Sequence, residues 1–408
     1  MNLQMQFIRV FILFCIMSVI VINVKSQLIN VSNDLLLSTD HTGGFLGTGV
    51  SFADFNGDDV DDLTFGHHAG QLRFYVGNNN PTGVGFQEVI LNMSNDQSEA
   101  KMVLWADIDN DGDQDFLVTN RNASNKLWRN NGNMQFSDIS DISGISTQDD
   151  TKSYGASFGD YNNDGFLDLY ICNYHTYVDS ETNELYQNNG NGTFTDVTAI
   201  ADVGNGFAQS FQSTFIDIDL DGHLDLHVIN DRLDFPNVFY KNNGDGSFTD
   251  MAIDWGVNLN ILAMSSSFSD YDRDGDMDLY VSNGSNGNYL LRNNLNTHGN
   301  FEDIAAQEEV EVGQLSWGAS WFDYNNDTWP DLYVATGITV YTEIPEVFDY
   351  YGYQPNQFFI NDGWTPMTNA SLSTPLNDQY SFAVATGDYN NDGFPDIVSH
   401  QIGDHAIV

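Results

Sequence analysis

Basic residues are scarce in this 408-residue sequence: 12 Lys and Arg stand against 58 Asp and Glu, for a formal charge of −46. A surface of that sign repels phosphate backbones and anionic bilayers, which excludes a nucleic-acid partner and disfavours acidic membranes. Cysteine is nearly absent. Cys15 sits in the N-terminal apolar run, so loss of that run leaves Cys172 alone and rules out a disulfide within the chain. Cys172 lies in the strand-like stretch "DLYICN" and reads as core packing. Long apolar runs are missing too, apart from residues 10–22. Arg9 precedes that run, and the small residues Val24 and Ser26 come just before a cleavage point at Gln27. Residues 1–26 therefore read as a signal peptide and 27–408 as the exported chain, with an uncleaved anchor as the alternative. The run is short for a membrane span, and nothing after it is apolar enough for one. Helical periodicity of any length is absent. So are a Gly-x-Ser-x-Gly elbow, a His-Glu-x-x-His pair and a phosphate-cradling loop ahead of a helix. No catalytic residue is assigned.

What abounds is aspartate at alternate positions. "DIDNDGDQD" (107–115) packs five into nine residues, and such charges repel unless a cation sits among them. A helix–loop–helix calcium site would close with Glu at its twelfth position, but the twelfth residue from Asp107 is Val118, in strand-like sequence. The nine-residue frame recurs at 54–62, 160–168, 217–225, 270–278, 323–331 and 388–396, at spacings of 53, 53, 57, 53, 53 and 65 residues. Seven copies in register mark a repeat architecture.

Each frame offers oxygen at positions 1, 3, 5 and 9 and a backbone carbonyl at 7, a donor set suited to Ca²⁺ rather than Mg²⁺. Position 1 is Asp54, Asp107, Asp160, Asp217, Asp270, Asp323 and Asp388. Position 3 is Asp109, Asp219 and Asp272 in loops two, four and five, and Asn56, Asn162, Asn325 and Asn390 in the others. Position 5 is Asp58, Asp111, Asp164, Asp221, Asp274, Asp327 and Asp392; position 9 is Asp62, Asp115, Asp168, Asp225, Asp278, Asp331 and Asp396. The carbonyls at 7 belong to Val60, Asp113, Phe166, His223, Asp276, Trp329 and Phe394. Loops two, four and five, with four carboxylates, are expected to bind most strongly. Position 6 calls for a left-handed backbone, where glycine is usual; Asp59 and Thr328 depart from it, and the sixth loop is expected to be the weakest. Up to seven structural ions are implied. They account for part of the charge only, since seven Ca²⁺ would raise −46 to −32.

Around each frame the sequence alternates. "SYGASFG" or "SWGASWF" precedes it, "DLYICN" or "DLHVIN" follows, and "NELYQNNGNGTFTDVT" adds two strands about an Asn/Gly hairpin. Four strands per repeat, seven times, describe an all-β, seven-bladed β-propeller. These repeats resemble the FG-GAP/VCBS family of integrin-α-like calcium-loop blades, closest in style to bacterial VCBS and cartilage-acidic-protein-like (ASPIC/UnbV-associated) proteins. The resemblance covers nearly everything after residue 27. It implies a seven-bladed propeller, extracellular placement at the cell surface or in secretion, and calcium between a blade's first two strands; it does not fix a ligand. The seventh repeat stops before its hairpin, while "LINVSND" (28–34) resembles a last strand such as "FTDVTAI". The N-terminal strand is thus expected to close the ring, with the last blade incomplete and further domains expected beyond residue 408.

The strand after each loop runs away from the metal, so the variable connections fall on the opposite face. The longest, 337–355, carries Tyr341, Phe348, Tyr350, Tyr351 and Tyr353. With His175 and Arg232 these are candidates for a ligand face, against the alternative that they cap the channel. The favoured function is a monomeric recognition or adhesion module for a protein or glycan, with no membrane span once the signal is removed. A calcium-dependent polysaccharide lyase and a structural module of a longer surface protein are the alternatives. Few Lys and Arg residues make an anionic substrate awkward for the lyase.

Overall fold

Small and aromatic residues alternate along "SYGASFG", and the segment folds as the strand Ser153–Gly159. The acidic loop follows, and the next strand, Asp168–Asn173, begins on the loop's ninth residue. The same holds in every repeat: second strands start at Asp62, Asp115, Asp225, Asp278, Asp331 and Asp396. Third and fourth strands, Glu184–Asn188 and Phe194–Asp196 in this repeat, pair across the Asn/Gly turn. In this computed structural model the described residues are Leu28, Val31, Leu37, 48–67, 72–78, 85–91, Met93, 99–147, 152–174, 182–284, 286–337, 355–371 and 381–401. Residues 1–26, expected to be a signal peptide, lie outside them.

Each sheet is an antiparallel meander with its strands in sequence order. The first strands pack side by side in a closed circuit, in which that of repeat seven, Ser381–Gly387, touches both Ser316–Phe322 and Val50–Ala53. Such close approach needs glycine. A Cβ on Gly155 would lie 2.5 Å from the Phe211 carbonyl of the next blade. Sheets face one another across apolar layers, for example Leu117 and Leu127 against Leu169, Ile171 and Tyr186. Each fully buried Leu, Ile or Phe in them contributes roughly 1.5–3 kcal/mol. Cys172 is buried in this packing, and burial pushes its thiol up to about 12, as suits an inert core residue.

One expectation, the blade count, needs correction. Six repeats, not seven, form complete four-stranded blades; the seventh contributes a two-stranded sheet among the described residues, Ser381–Gly387 paired with Asp396–Gln401. The Asn/Gly turn that joins third and fourth strands elsewhere, as at Asn188–Gly192, has no counterpart within 381–401. The N-terminal segment reaches this sheet. Leu28 packs in the cluster of Phe322, Phe358 and Ile397, and Leu37 and Val31 pack with Tyr389 and Val398. The strand expected over 28–34 falls mostly outside the described residues. The fold is all-β as expected, with one-turn helices Ser140–Ser143, Thr198–Ala201 and Ala252–Trp255 after the fourth strands of three blades. Among the described residues no helix is long and apolar enough to cross a membrane.

Candidate metal centre

The first-position aspartate of each loop organises the turn. Asp107 accepts the N–H groups of Asp111 (3.1 Å) and Gly112 (2.9 Å), and Asp111 in turn accepts that of Asp113 (3.0 Å). The ninth-position carboxylate closes it from beneath: Asp115 accepts the N–H of Ile108 (3.0 Å) and that of Asn130 on the third strand (2.7 Å). The departures at position 6 do not break this scheme. Asp59 (φ 64°) and Thr328 (φ 77°) take the left-handed conformation and donate to Asp54 (2.8 Å) and Asp323 (2.6 Å). The sixth loop therefore has the same turn as the rest. Position 4 is left-handed as well, in Asn110, Asn163, Leu220, Arg273, Asn326 and Asn391, which the sequence reading overlooked.

These turns gather carboxylates. Asp107, Asp109 and Asp115 bring ligand oxygens within 4.8 Å of one another, as do Asp217, Asp219 and Asp225, and Asp270, Asp272 and Asp278. In the loops with Asn at position 3 the amide oxygen stands in that place, and Asn162 Oδ1 accepts the Asp164 N–H (2.9 Å). Several oxygens lack any donor: Asp168 Oδ2 on a fully buried residue, with Asp109 Oδ1, Asp219 Oδ1, Asp270 Oδ1 and Asp276 Oδ1. A buried carboxylate oxygen without a partner is costly and calls for a cation. Burial pushes Asp62, Asp115, Asp168, Asp225, Asp331 and Asp396 from 3.8 up to about 7, and Asp278 to about 8, against the pull of the backbone N–H groups. Asp276 rises to about 6 through burial and its neighbour Asp274. The donor set fits a hard divalent ion.

Neighbouring loops are joined. Position 4 of one reaches position 6 of the next: Asn110 Nδ2 donates to Gly165 O (2.9 Å), Asn163 Nδ2 to Gly222 O (3.1 Å) and Asn326 Nδ2 to Gly393 O (2.7 Å). Arg273 makes the equivalent link to Thr328 Oγ1 (2.7 Å) and lies over the Trp329 ring. An asparagine at the end of the third strand adds a second tie. Asn188 Nδ2 donates to Leu167 O (3.0 Å) and, across the blade boundary, to Ile108 O (2.8 Å) inside the previous loop. Asn130, Asn242, Asn293 and Asn361 repeat this, reaching Phe55 O, Tyr161 O, Ile218 O and Tyr271 O. The recurrent "NNG" held this signal, but the sequence reading spent it on the turn alone.

The opposite end differs. Tyr341, Phe348, Tyr350, Tyr351, Tyr353 and His175 lie outside the described residues. Arg232 is engaged: it pairs with the buried Asp231, which also accepts the Tyr174 hydroxyl (2.8 Å), and its guanidinium lies over the Tyr174 ring. His400 is buried, with Nδ1 3.2 Å from Thr48 O and burial pushing it down to about 4. A cavity of about 230 Å³, lined by the starts of all seven inner strands, holds Tyr154, Phe211, Trp317 and Phe382. Beside it Lys101 pairs with Glu99 (2.5 Å), and burial pushes its ammonium down to about 8. No local pattern in the sequence announces this axial site.

Cartilage acidic protein 1 of Xenopus tropicalis is 27% identical over 132 residues, covering 31% of this chain and 20% of that protein, so the match spans a fifth of the relative's length. A solved structure of BBS1N in complex with ARL6DN covers 91% of this chain and 96% of its own, with a TM-score of 0.55 at 10% identity, a likeness of fold alone. The FG-GAP-like repeat matches at 54–118, 107–171, 176–228, 217–281 and 270–334, each match but the third running from one acidic loop into the strand after the next. With more than half its length in these matches, the chain belongs to the FG-GAP-like repeat family.

Proposed function

We propose that this is an exported propeller whose acidic loops each hold one structural Ca²⁺, and that it serves as a recognition or adhesion module for a protein or glycan outside the cell. The observation that carries the metal reading is the convergence of three carboxylates within 4.8 Å in each of the second, fourth and fifth loops, where Asp109 Oδ1, Asp219 Oδ1 and Asp270 Oδ1 have no hydrogen-bond partner. In each loop the residues at positions 1, 3, 5 and 9 and the carbonyl at 7 would hold the ion. Its positive charge would offset their repulsion. Because only the folded loop assembles that set, binding stabilises the fold. The signal-like residues 1–26 and the resemblance of part of the chain to a cartilage acidic protein support an extracellular setting. Recognition is assigned to the face away from the loops, where connections vary in length.

Two measurements test this. Melting temperature in millimolar calcium should exceed that in excess chelator; equal values would sink the metal reading. A glycan array and a panel of extracellular-matrix proteins should give binding that is lost when Tyr341, Tyr350, Tyr351 and Tyr353 are replaced by Ser. Binding unchanged by those replacements would move recognition away from this face.

A further inference from the structure

Six third strands carry a residue immediately before the one whose backbone N–H donates to the ninth-position aspartate. They are Val76 (before Gly77), Arg129 (Asn130), Gln187 (Asn188), Lys241 (Asn242), Arg292 (Asn293) and Ile360 (Asn361). Three of these are cationic in a chain with only 12 Lys and Arg. They belong to the three blades whose loops have Asp at position 3: Asp109, Asp219 and Asp272. Where position 3 is Asn56, Asn162 or Asn325, the strand residue is uncharged. The match is complete in all six blades.

Contacts agree with the pairing. The Lys241 ammonium lies against the Asp219 carboxylate and 2.7 Å from Asp221 Oδ2, at positions 3 and 5 of the fourth loop. Arg292 pairs with Glu302 (2.6 Å) and acts on Asp272 only through its field, as Arg129 does on Asp109. Over positions 1, 3, 5 and 9, four carboxylates and one cation carry the same net charge as three carboxylates and an amide; Asp113 and Asp276 at position 7 add a further charge in the second and fifth loops. The extra aspartate is thus matched within its own blade.

We infer that the third-strand cation sets the ion affinity of its loop, with Lys241 acting as a resident counter-ion that a divalent ion must displace from Asp219 and Asp221. This rests on the calcium reading and overturns the ranking by carboxylate count: the four-Asp loops are levelled with the Asn loops. Removing one positive charge beside a doubly charged ion changes its affinity by about tenfold at solvent-like screening.

The experiment follows calcium occupancy loop by loop, from anomalous difference density in crystals of the full chain soaked at graded calcium. Lys241→Gln should lower the half-loading concentration of the fourth loop about tenfold, and Asp219→Asn should raise it. The double variant, which reproduces the Asn162 and Gln187 pair of the third blade, should return to within about twofold of wild type. Gln187 already shows that glutamine is accommodated on this strand. A fourth loop that loads in Lys241→Gln as in wild type, with the other loops filling normally, overturns the inference alone. Wild-type loops that stay vacant at millimolar calcium overturn the calcium reading and this inference together.

Discussion

Leu220 holds position 4 of the fourth loop in a left-handed conformation, φ 60°, with its side chain 57% exposed. A leucine there carries a penalty of about 1 kcal/mol that asparagine largely avoids. In three other loops an asparagine at this position also donates to the next loop's sixth carbonyl, at 2.7–3.1 Å. Leu220→Asn should recover both terms: about 1 kcal/mol from the backbone and about 0.5–1 kcal/mol from a hydrogen bond to Gly275 O. So little of the leucine is covered that its removal costs little burial. The expected gain, about 1.5–2 kcal/mol, corresponds to a rise of about 2 °C in melting temperature for a chain this long. Equilibrium denaturation in urea, run with calcium and with chelator, measures it. Leu220→Ala is the control, since it keeps the backbone penalty, adds no hydrogen bond and should gain nothing. An Asn variant no more stable than the Ala variant would refute the reasoning about position 4.

Without divalent ions, the ninth-position carboxyls bind protons in the folded state up to about pH 7–8 but in the unfolded chain only near 3.8. The folded state thus holds more protons across that window, and stability falls as pH rises. The melting temperature of chelator-treated protein should therefore drop between pH 6.5 and 8, and calcium uptake should release protons, read as a buffer-dependent heat in calorimetry. A metal-free melting temperature that rises over that range would count against it. Asn188→Ala removes two donors and leaves the Ile108 carbonyl of the neighbouring loop without its side-chain partner; a loss of about 2–3 kcal/mol is expected in urea denaturation. His227 is fully buried with neither ring nitrogen partnered, and Asn237 Nδ2 is likewise orphaned. At the same place in other blades Tyr170, Tyr280 and Tyr333 accept Asn183, Asn288 and Asn356. His227→Tyr should gain about 1 kcal/mol, checked by the urea midpoint.

The loops and the strands around them were legible because their information is local. Asp168 both closes a turn and opens a strand, and nine residues suffice to display it. The hairpins of Asn188–Gly192 and its counterparts were legible for the same reason. What escaped depends on residues far apart in the chain. Asn188 meets Ile108 across 80 residues and Asn242 meets Tyr161 across 81, so nothing within a single repeat displays either contact. The pairing of Asp219 with Lys241 spans 22 residues and two strands, and becomes visible only when third strands are aligned on their hydrogen bonds. Seven acidic frames announced seven first and second strands, and six of the repeats complete four-stranded sheets among the described residues.

The chain of side chains from one acidic turn to the next has a consequence for how ions would enter. Asn110 holds Gly165, and Asn163 in the following turn holds Gly222, so ordering of one turn fixes an acceptor on which its neighbour depends. Loading would then be coupled within the second to fourth loops and again within the fifth to seventh, with a break at Leu220, whose side chain offers no donor. Without ions each of these runs of loops would loosen as a unit, and the two runs need not do so together.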